Sequence, residues 1–473
     1  MYKRLLSETV IYGIGAIMPR VINFLLNPYY IEEFDGADQF AQFINLYAII
    51  TFVNIVLTFG FETSFFRFSA EKENSQKTFY TSFWFLLGTA TVFLIAVLSN
   101  NQSIADSLNF SQNPEFIRWF AWIAFFDTLL VIPFAWLRFN NKPIKYSFVR
   151  VTQSIFQTFL ILAFFMWIPK NISTEMGLTE KVSYPIFSNV IGSVLGFVLI
   201  LPIILKMRFV FDFQLFKRML RYAWPVMFAG IAFVLNENFD KMIQRFVISE
   251  FDAGAYGGCY KLAVLMTLFV TAYRMGVEPF FFKQMDSVDA KLKYAKITEY
   301  FVIAGSFVAL ALIVNIDWLK DLFIRDETYW VALDIIPIIV IANLFFGIYY
   351  NLSTWYKVTD RTHFGLYISW FGAIVTLLLN LLLMPKYGFM VSAWATLAAY
   401  FLMFILSYYL GQKFYPIPYK INKIIFYLTL TVVFSIISYL IFDANYWIGN
   451  LLLLIFAVVV FFIEKRSFNL NEN

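Results

Sequence analysis

The sequence has little of what enzymes use for catalysis. Its 473 residues include one cysteine, Cys259, and one histidine, His363. A single cysteine excludes an internal disulfide bond, and no Cys/His cluster exists to ligate a metal ion. One histidine at a predicted helix end cannot build a Ser-His-Asp triad. We therefore expect no metal site, no cofactor and no enzymatic activity.

A nucleotide-binding loop and a large soluble loop are also missing. No GxxxxGK[ST] pattern occurs in the chain, which excludes nucleotide hydrolysis by that route. The predicted external loops are short, and they leave no room for the soluble periplasmic domain that a membrane glycosyltransferase or polymerase would usually need.

Charged residues are scarce, whereas long apolar runs are abundant. Charged residues make up 14% of the chain, against roughly 25% in soluble domains. Hydrophobic residues make up 60%, and the mean hydropathy is +0.70. Runs of 20 or more apolar residues recur through nearly the whole sequence, which is the signature of membrane-spanning helices. The chain is predicted to be an all-α integral membrane protein.

Polar residues, prolines and glycines divide these runs into fourteen predicted spans. They cover residues 8–31, 39–66, 78–99, 115–137, 145–168, 184–205, 219–247, 254–282, 295–316, 329–356, 363–384, 388–411, 421–442 and 447–463. The first run is too long for the hydrophobic region of a signal peptide and has no cleavage pattern. We therefore expect span 1 to be retained.

Basic residues predict the orientation of the spans. With the amino terminus in the cytoplasm, the cytoplasmic segments hold 24 Lys and Arg residues and the opposite side holds 5. The positive-inside rule then predicts that both termini lie on the cytoplasmic side. The expected location is the bacterial inner membrane. The formal net charge of +5 reflects this topology, and nucleic acid is not an expected partner.

The two halves of the chain are related by an internal repeat. GFETSFFR at Gly60–Arg67 recurs as GVEPFFFK at Gly276–Lys283, an offset of 216 residues. EFD after span 1 recurs after span 7, and Trp136 in span 4 matches Trp355 in span 10. Equivalent spans are six apart, an even number, so the halves should be parallel around a central cleft. The predicted domains are residues 1–207, residues 208–418, and residues 419–473 with two additional spans.

Several charged residues fall inside predicted spans, where an unpaired charge costs from about 3 to over 10 kcal/mol. They must pair with one another or face a hydrated cavity. The candidates for substrate binding are Arg20, Arg150, Lys241, Lys261 and Arg274. The candidates for ion or proton coupling are Asp127, Glu237 and Asp240.

Some of these charges have a simpler structural interpretation. Glu237 and Lys241 are spaced i to i+4 in the favourable order, so they would neutralise each other on one helix face. Arg274 and Glu278 have the same spacing. No acidic residue lies within a helical turn of Arg20, so its partner must come from another helix, from water or from a ligand.

Two glutamates occupy matched positions in the repeat. Glu62 and Glu278 lie near the predicted cytoplasmic ends of spans 2 and 8. They are candidates for a gate or for a plain helix-end lock, and the expected partners are Arg67 and Lys283. In the cleft itself, several guanidinium and ammonium groups would suit a phosphate, because Arg binds it bidentately and Lys as a point charge.

Two segments resemble a known family. NFDKMIQRFVISEFDAGAYGGCYKLA at Asn238–Ala263 carries the elements Asp-Lys, Gly-x-Tyr and Lys-Leu. MPKYGFMVSAWAT at Met384–Thr396 carries the turn between spans 11 and 12, where Val391 and Ser392 replace a Gly-Ala pair. Both are similar to the polysaccharide flippase branch of the MATE/MOP exporter superfamily, which includes the Wzx-type O-antigen flippases.

The resemblance implies fourteen helices in two lobes and alternating access. It also implies transfer of an undecaprenyl-pyrophosphate-linked oligosaccharide from the cytoplasmic to the periplasmic leaflet, for polysaccharide or lipopolysaccharide O-antigen biosynthesis. Expected partners are that lipid-linked oligosaccharide, membrane lipids and other polysaccharide-assembly proteins. Two alternatives stay open: an ion-coupled drug/cation antiporter of the same superfamily, and a membrane polysaccharide polymerase or ligase.

Overall fold

The computed structural model describes residue 15 and residues 17–69, 75–285, 287–359 and 361–471. Within these ranges the chain is helical and contains no strand, which confirms the all-α fold class. Contacts divide the chain into two compact units, unit 1 at Met1–Val234 and unit 2 at Leu235–Asn473.

Unit 1 contains ten helices and the beginning of an eleventh within its described residues. They are α1 (residues 17–25), α2 (Asn27–Glu33), α3 (Ala37–Thr58), α4 (Phe61–Ser69), α5 (Ser75–Ser99), α6 (Asn101–Ser107), α7 (Pro114–Phe139), α8 (Pro143–Met166), α9 (Lys170–Glu175), α10 (Ser183–Ile204) and α11 (Phe213–Val247). The last of these continues into unit 2.

Unit 2 holds the rest of the described helices. They are α12 (Glu250–Gln284), α13 (Ala290–Val314), α14 (Ile316–Phe323), a 3₁₀ turn (Glu327–Ala332), α15 (Ile335–Leu352), α16 (Thr354–Val358), α17 (His363–Tyr387), α18 (Met390–Phe414), α19 (Ile421–Ile436) with a π turn (Ile437–Ile441), and α20 (Tyr446–Asn471). The sequence-based domain boundaries follow the repeat, and they remain predictions.

Thirteen helical segments in the described residues are long and apolar enough to cross a membrane. They correspond to predicted spans 2–14 in order. Span 1, predicted at residues 8–31, falls partly outside the described residues. The protein is therefore a multi-pass membrane protein, and many large apolar side chains on its helices are exposed because lipid is the solvent that they meet.

The core of unit 1 includes the first turns of α11. Leu215, Met219 and Ala223 are buried among phenylalanines of α4 and α5. Ser64 of α4 donates to the main-chain oxygen of Met219 at 3.1 Å. This end of α11 is thus part of the packed interior of unit 1.

The segment α3–α4 is a single span with a break in it. Phe59 and Gly60 have φ angles of 50° and 68°, in the left-handed region that ends a helix. A Cβ on Gly60 would lie 2.7 Å from the main-chain oxygen of Ala223. Only glycine fits this position, because both the backbone conformation and the close approach of α11 exclude a side chain.

Unit 2 fixes its last two helices through a buried carboxylate. Glu299 of α13 is 4% exposed and accepts from Lys423 of α19 at 2.7 Å. Lys423 also donates to Glu464 of α20 at 2.7 Å, and Tyr427 donates to the same carboxylate at 2.6 Å. The pair α19–α20 is therefore attached to α13 by charge as well as by apolar packing.

Candidate functional site

The predicted charges of spans 7 and 8 meet in a buried cluster in unit 2. Asp240 and Lys241 of α11 are 3% and 8% exposed, and their charged groups are 3.1 Å apart. Tyr256 of α12 donates to the other oxygen of Asp240 at 2.5 Å. The ammonium of Lys241 lies 3.6 Å from the ring centroid of Tyr260. The two tyrosines thus hold the carboxylate of Asp240 and the ammonium of Lys241 in one arrangement.

Glu237 lies one turn before Lys241, and its carboxylate has a second partner besides that lysine. Its carboxylate accepts a hydrogen bond from Tyr400 of α18. Lys241 donates to the main-chain oxygen of Glu237 at 2.8 Å and to the carboxylate of Asp240 at 3.1 Å. Glu237 and Lys241 are thus near enough to attract each other, as the spacing predicted, and each also has a partner that the spacing did not predict, Tyr400 for the glutamate and Asp240 for the lysine.

Lys261 belongs to the same cluster and differs from its neighbours. It is half-buried in α12 and lies close enough to Lys241 to be repelled by it. Among the described residues, none provides Lys261 with a carboxylate within ion-pair distance. An ammonium at this depth is expensive unless it meets water or an anion.

A chain of neutral polar side chains continues from this cluster. Gln244 of α11 donates to Ser392 of α18 at 3.1 Å, and Ser392 donates to Asn380 of α17 at 2.8 Å. One turn away, Thr376 donates to Asn236 at 3.2 Å. The buried amides and hydroxyls are thus satisfied by each other across three helices.

Unit 1 holds a smaller polar group around Asp127. Ser193 of α10 donates to the carboxylate of Asp127 at 2.9 Å. Arg150 of α8 lies 4.3 Å from the ring centroid of Phe134 and is near enough to Asp127 to attract it. The structure therefore brings together one coupling candidate and one substrate candidate. Arg20 on α1 is exposed and has no carboxylate partner among the described residues.

The gate candidates have different partners from those the sequence predicted. Glu62 pairs with Arg138 at the end of α7, whereas Arg67 is exposed. Glu278 pairs with Lys357 of α16 at 3.2 Å. The expected pairings with Arg67 and Lys283 followed from proximity in the sequence. The pairing of Glu62 with Arg67 was wrong because a basic residue of another span is closer, and the side chain of Lys283 lies outside the described residues.

Arg274 lies near enough to its i to i+4 neighbour Glu278 to attract it, and it also contacts an aromatic ring. Its guanidinium lies 4.7 Å from the ring centroid of Tyr350. The ammonium of Lys357 is 4.0 Å from the same ring, and Glu278 has its ion pair with Lys357. Both cations thus lie over the ring of Tyr350, which stabilises them, and the carboxylate of Glu278 is nearby.

Some participants were missed at the level of sequence. Tyr400 completes the cluster, and no local pattern marks a tyrosine as the partner of a carboxylate this far away in the sequence. Tyr256 belongs to the Gly-x-Tyr element, but its contact with Asp240 was not predicted. Arg138 and Lys357 were identifiable, because each follows a repeat-matched tryptophan by two residues, at Trp136 and Trp355 in the sequence.

The family model of polysaccharide biosynthesis proteins matches residues 5–285 of the chain. The chain belongs to this family. As a polysaccharide biosynthesis protein, it carries in the matched region the helices α1–α12, with Asp127 and Arg150 of unit 1 and the cluster around Lys241 and Lys261 of unit 2. No curated protein matches the sequence.

Solved structures share the fold of this polysaccharide biosynthesis protein. The lipid II flippase MurJ in an inward closed conformation superposes with a TM-score of 0.77 at 16% identity, covering 96% of this chain and 99% of the other. An inward-facing multidrug resistance MATE family transporter of the MOP superfamily gives 0.68 at 12% identity, covering 86% and 97%. The Vibrio cholerae MATE transporter VcmN in the bent form gives 0.58 at 15% identity, covering 87% and 96%. The fold is therefore MurJ- and MATE-like, as the sequence resemblance implied.

Proposed function

We propose that this protein transfers a lipid-linked oligosaccharide from the cytoplasmic to the periplasmic leaflet of the bacterial inner membrane by alternating access. The solute is an undecaprenyl-pyrophosphate-linked repeat unit of a polysaccharide such as O-antigen. Membership of the polysaccharide biosynthesis family and a fold similar to that of a lipid II flippase support this proposal. The protein acts as a transporter with both termini in the cytoplasm.

The observation that carries the proposal is the environment of Lys261. Its ammonium lies within a spanning helix, beside a second lysine, and the described residues provide it with no carboxylate. Leaving such a charge unpaired at bilayer depth costs several kcal/mol, at least about 3. A pyrophosphate provides the missing negative charge, and Lys241, whose charge is balanced by Asp240, is the neighbouring cation of the same cluster.

The remaining candidates have roles around this contact. Arg20, Arg150 and Arg274 are the further substrate-binding residues, since each is a guanidinium suited to phosphate or sugar hydroxyls. Asp127, Glu237 and Asp240 are the carboxylates that would bind a coupling ion or proton. Glu62 with Arg138 and Glu278 with Lys357 are the repeat-related pairs at the predicted cytoplasmic helix ends.

Leaflet transfer in liposomes tests the proposal. We expect the purified protein to move a fluorescent polyprenyl-pyrophosphate oligosaccharide between leaflets, and Lys261→Ala to lower the initial rate at least about tenfold, as loss of one charge-assisted contact of about 1.4 kcal/mol or more would. Arg20→Ala should lower the rate as well. Lys145→Ala is the matched control, because Lys145 is exposed at the start of α8 and should leave the rate unchanged.

The same liposomes distinguish the alternative. In a second assay, the liposomes receive a labelled organic cation in place of the lipid-linked oligosaccharide, together with an ion gradient. Ion-driven efflux of the cation by the wild-type protein, with no transfer of the lipid-linked oligosaccharide, would replace the flippase proposal with a drug antiporter of the same superfamily. Equal rates for Lys261→Ala and Lys145→Ala would remove Lys261 from the substrate site.

A further inference from the structure

A large apolar cavity lies in unit 2, and its lining includes none of the charged residues of the cluster around Lys261. Its volume is about 600 Å³, within the range of roughly 300–1,000 Å³ that small-molecule sites occupy. Its walls come from α15, α18 and α19 with the π turn, and almost all of its lining side chains are apolar. Several of them, Trp394, Phe401 and Leu440, are 41–67% exposed. The cavity is thus open to the surface of the unit that faces lipid.

The length of the cavity corresponds to one leaflet. Along α18 its lining residues run from Met390 to Phe401. Eleven steps of helix at 1.5 Å make about 16 Å, and half of a hydrocarbon core of about 30 Å is about 15 Å. Trp394, one turn from the start of α18, is placed where tryptophans occur at the membrane interface. A single acyl chain fills such a cavity, whereas a polyprenyl chain is several times longer.

A polar mouth adjoins the apolar cavity. A second cavity of about 300 Å³ shares Asp334, Tyr439 and Leu440 with the first one. Tyr439 donates to Asp334 at 2.7 Å, which fixes the carboxylate at the junction of the two cavities. Two more carboxylates, Asp317 and Asp443, line this mouth.

The mouth carries more negative than positive charge. Against its three carboxylates stands one cation, Lys320, whose ammonium is 2.6 Å from Asp317. Lys320 balances Asp317, so Asp334 and Asp443 give the mouth a negative charge that repels an anionic headgroup and attracts an ammonium. The mouth lies on the predicted periplasmic side, because Asp334 lies near the start of predicted span 10, which begins on that side.

From this combination we infer that unit 2 binds one phospholipid of the periplasmic leaflet, with an ammonium-bearing headgroup at Asp334 and Asp443 and one acyl chain in the apolar cavity. The site is separate from the proposed transport site and does not depend on what is transported. A bound lipid there would fill the space between α15, α18 and α19, and it would stabilise the packing of α19 on unit 2.

Native mass spectrometry of the full chain in detergent tests the inference. Phosphatidylethanolamine and phosphatidylglycerol with identical acyl chains are titrated separately. We expect one phosphatidylethanolamine to bind at least about tenfold more tightly than phosphatidylglycerol, a difference of about 1.4 kcal/mol. Equal affinity, or tighter binding of the anionic lipid, would overturn the headgroup assignment.

Variants locate the lipid. Ala398→Phe places a ring in the apolar cavity, whose lining includes Ala398, and should reduce phosphatidylethanolamine binding at least about tenfold. Ala96→Phe, at an exposed position on α5, is the matched control and should bind normally. If both variants bind equally, the cavity does not hold the acyl chain.

The double variant Asp334→Asn/Asp443→Asn tests the mouth without changing the cavity, and it remains informative if Ala398→Phe does not fold. It should remove the preference for phosphatidylethanolamine, while Asp321→Asn, an exposed carboxylate outside the mouth, should retain it. A preference unchanged in the double variant contradicts the inference. So does displacement of phosphatidylethanolamine by polyprenyl phosphate at equal or lower concentration, which would assign the cavity to an isoprenoid chain.

Discussion

The two repeat-related segments that begin at Gly60 and Gly276 share a residue pattern but differ in backbone. At Gly60 the span breaks between α3 and α4, and the glycine has a φ of 68°. At Gly276 the helix α12 continues without interruption. A Cβ at Gly276 would meet no atom within 4 Å, whereas one at Gly60 would meet the main chain of α11. The repeat thus preserves the glycine while only the first copy requires it.

The ion pairs that follow these glycines are preserved in both copies. Glu62 pairs with Arg138 in unit 1, which links span 2 to the end of span 4. Glu278 pairs with Lys357 in unit 2, which links span 8 to the end of span 10. Arg138 also lies 5.1 Å from the ring centroid of Phe66, and Lys357 lies 4.0 Å from that of Tyr350. An equivalent pair on two different backbones indicates that the link between these helices, and not the local helix geometry, is what both halves retain.

Substituting the two glycines should produce the largest difference between the copies. Gly60→Ala adds a left-handed alanine, which costs about 1–2 kcal/mol, and a contact with the Ala223 carbonyl, so we expect a loss of roughly 2–4 kcal/mol. Gly276→Ala removes a glycine from a helix and should stabilise by about 0.5–1 kcal/mol. Thermal unfolding in detergent measures both. Similar unfolding temperatures for the two variants would contradict the break at Gly60.

Removing one partner of each ion pair should have an intermediate effect. Arg138→Ala and Lys357→Ala each leave a half-buried glutamate without its cation. We expect a loss of roughly 1–3 kcal/mol, below the 3–5 kcal/mol of a fully buried pair, because all four side chains remain 24–44% exposed. Arg67→Ala is the control, since Arg67 is exposed and should change stability by less than about 0.5 kcal/mol. A larger effect of Arg67→Ala than of Arg138→Ala would restore the pairing predicted from the sequence.

Exchanging the charges of one pair should have the smallest effect. The double variant Glu62→Arg/Arg138→Glu keeps both charges next to each other, so it should recover about 1 kcal/mol relative to the sum of its two single variants. A double-mutant cycle on unfolding temperature or denaturant midpoint measures this coupling. The same exchange at Glu278 and Lys357 should give a coupling of the same sign, and additivity at both sites would show that the pairs do not interact.

Features that depend on single segments of the chain could be predicted from the sequence. Apolar runs identified thirteen spans, because a membrane requires about 20 apolar residues per helix whatever the packing. The repeat identified Glu62 and Glu278 as an equivalent pair. The grouping of Asp240, Lys241 and Lys261 also follows from their segment, since α11 and α12 are consecutive helices joined by a short turn.

Features that depend on contacts between distant segments could not be predicted. Tyr400 is far from Glu237 in the sequence, yet its hydroxyl donates to that carboxylate. Spacing along one helix gives the residues that are able to meet, but the choice among them is made by the neighbouring helices. For the same reason the break at Gly60 was not predicted, because its cause is the main chain of α11 at Ala223.

The path of α11 has a consequence for dividing the protein into two polypeptides. A cut at the end of the repeat, in the linker before Phe213, would give an amino-terminal fragment without Leu215, Met219 and Ala223, which fill its interior. Its phenylalanines would be left around an open groove, and Ser64 would lose its acceptor on Met219. Two co-expressed fragments should assemble only if the first turns of α11, carried by the carboxy-terminal fragment, pack into the amino-terminal fragment. The amino-terminal fragment is therefore incomplete when it folds alone.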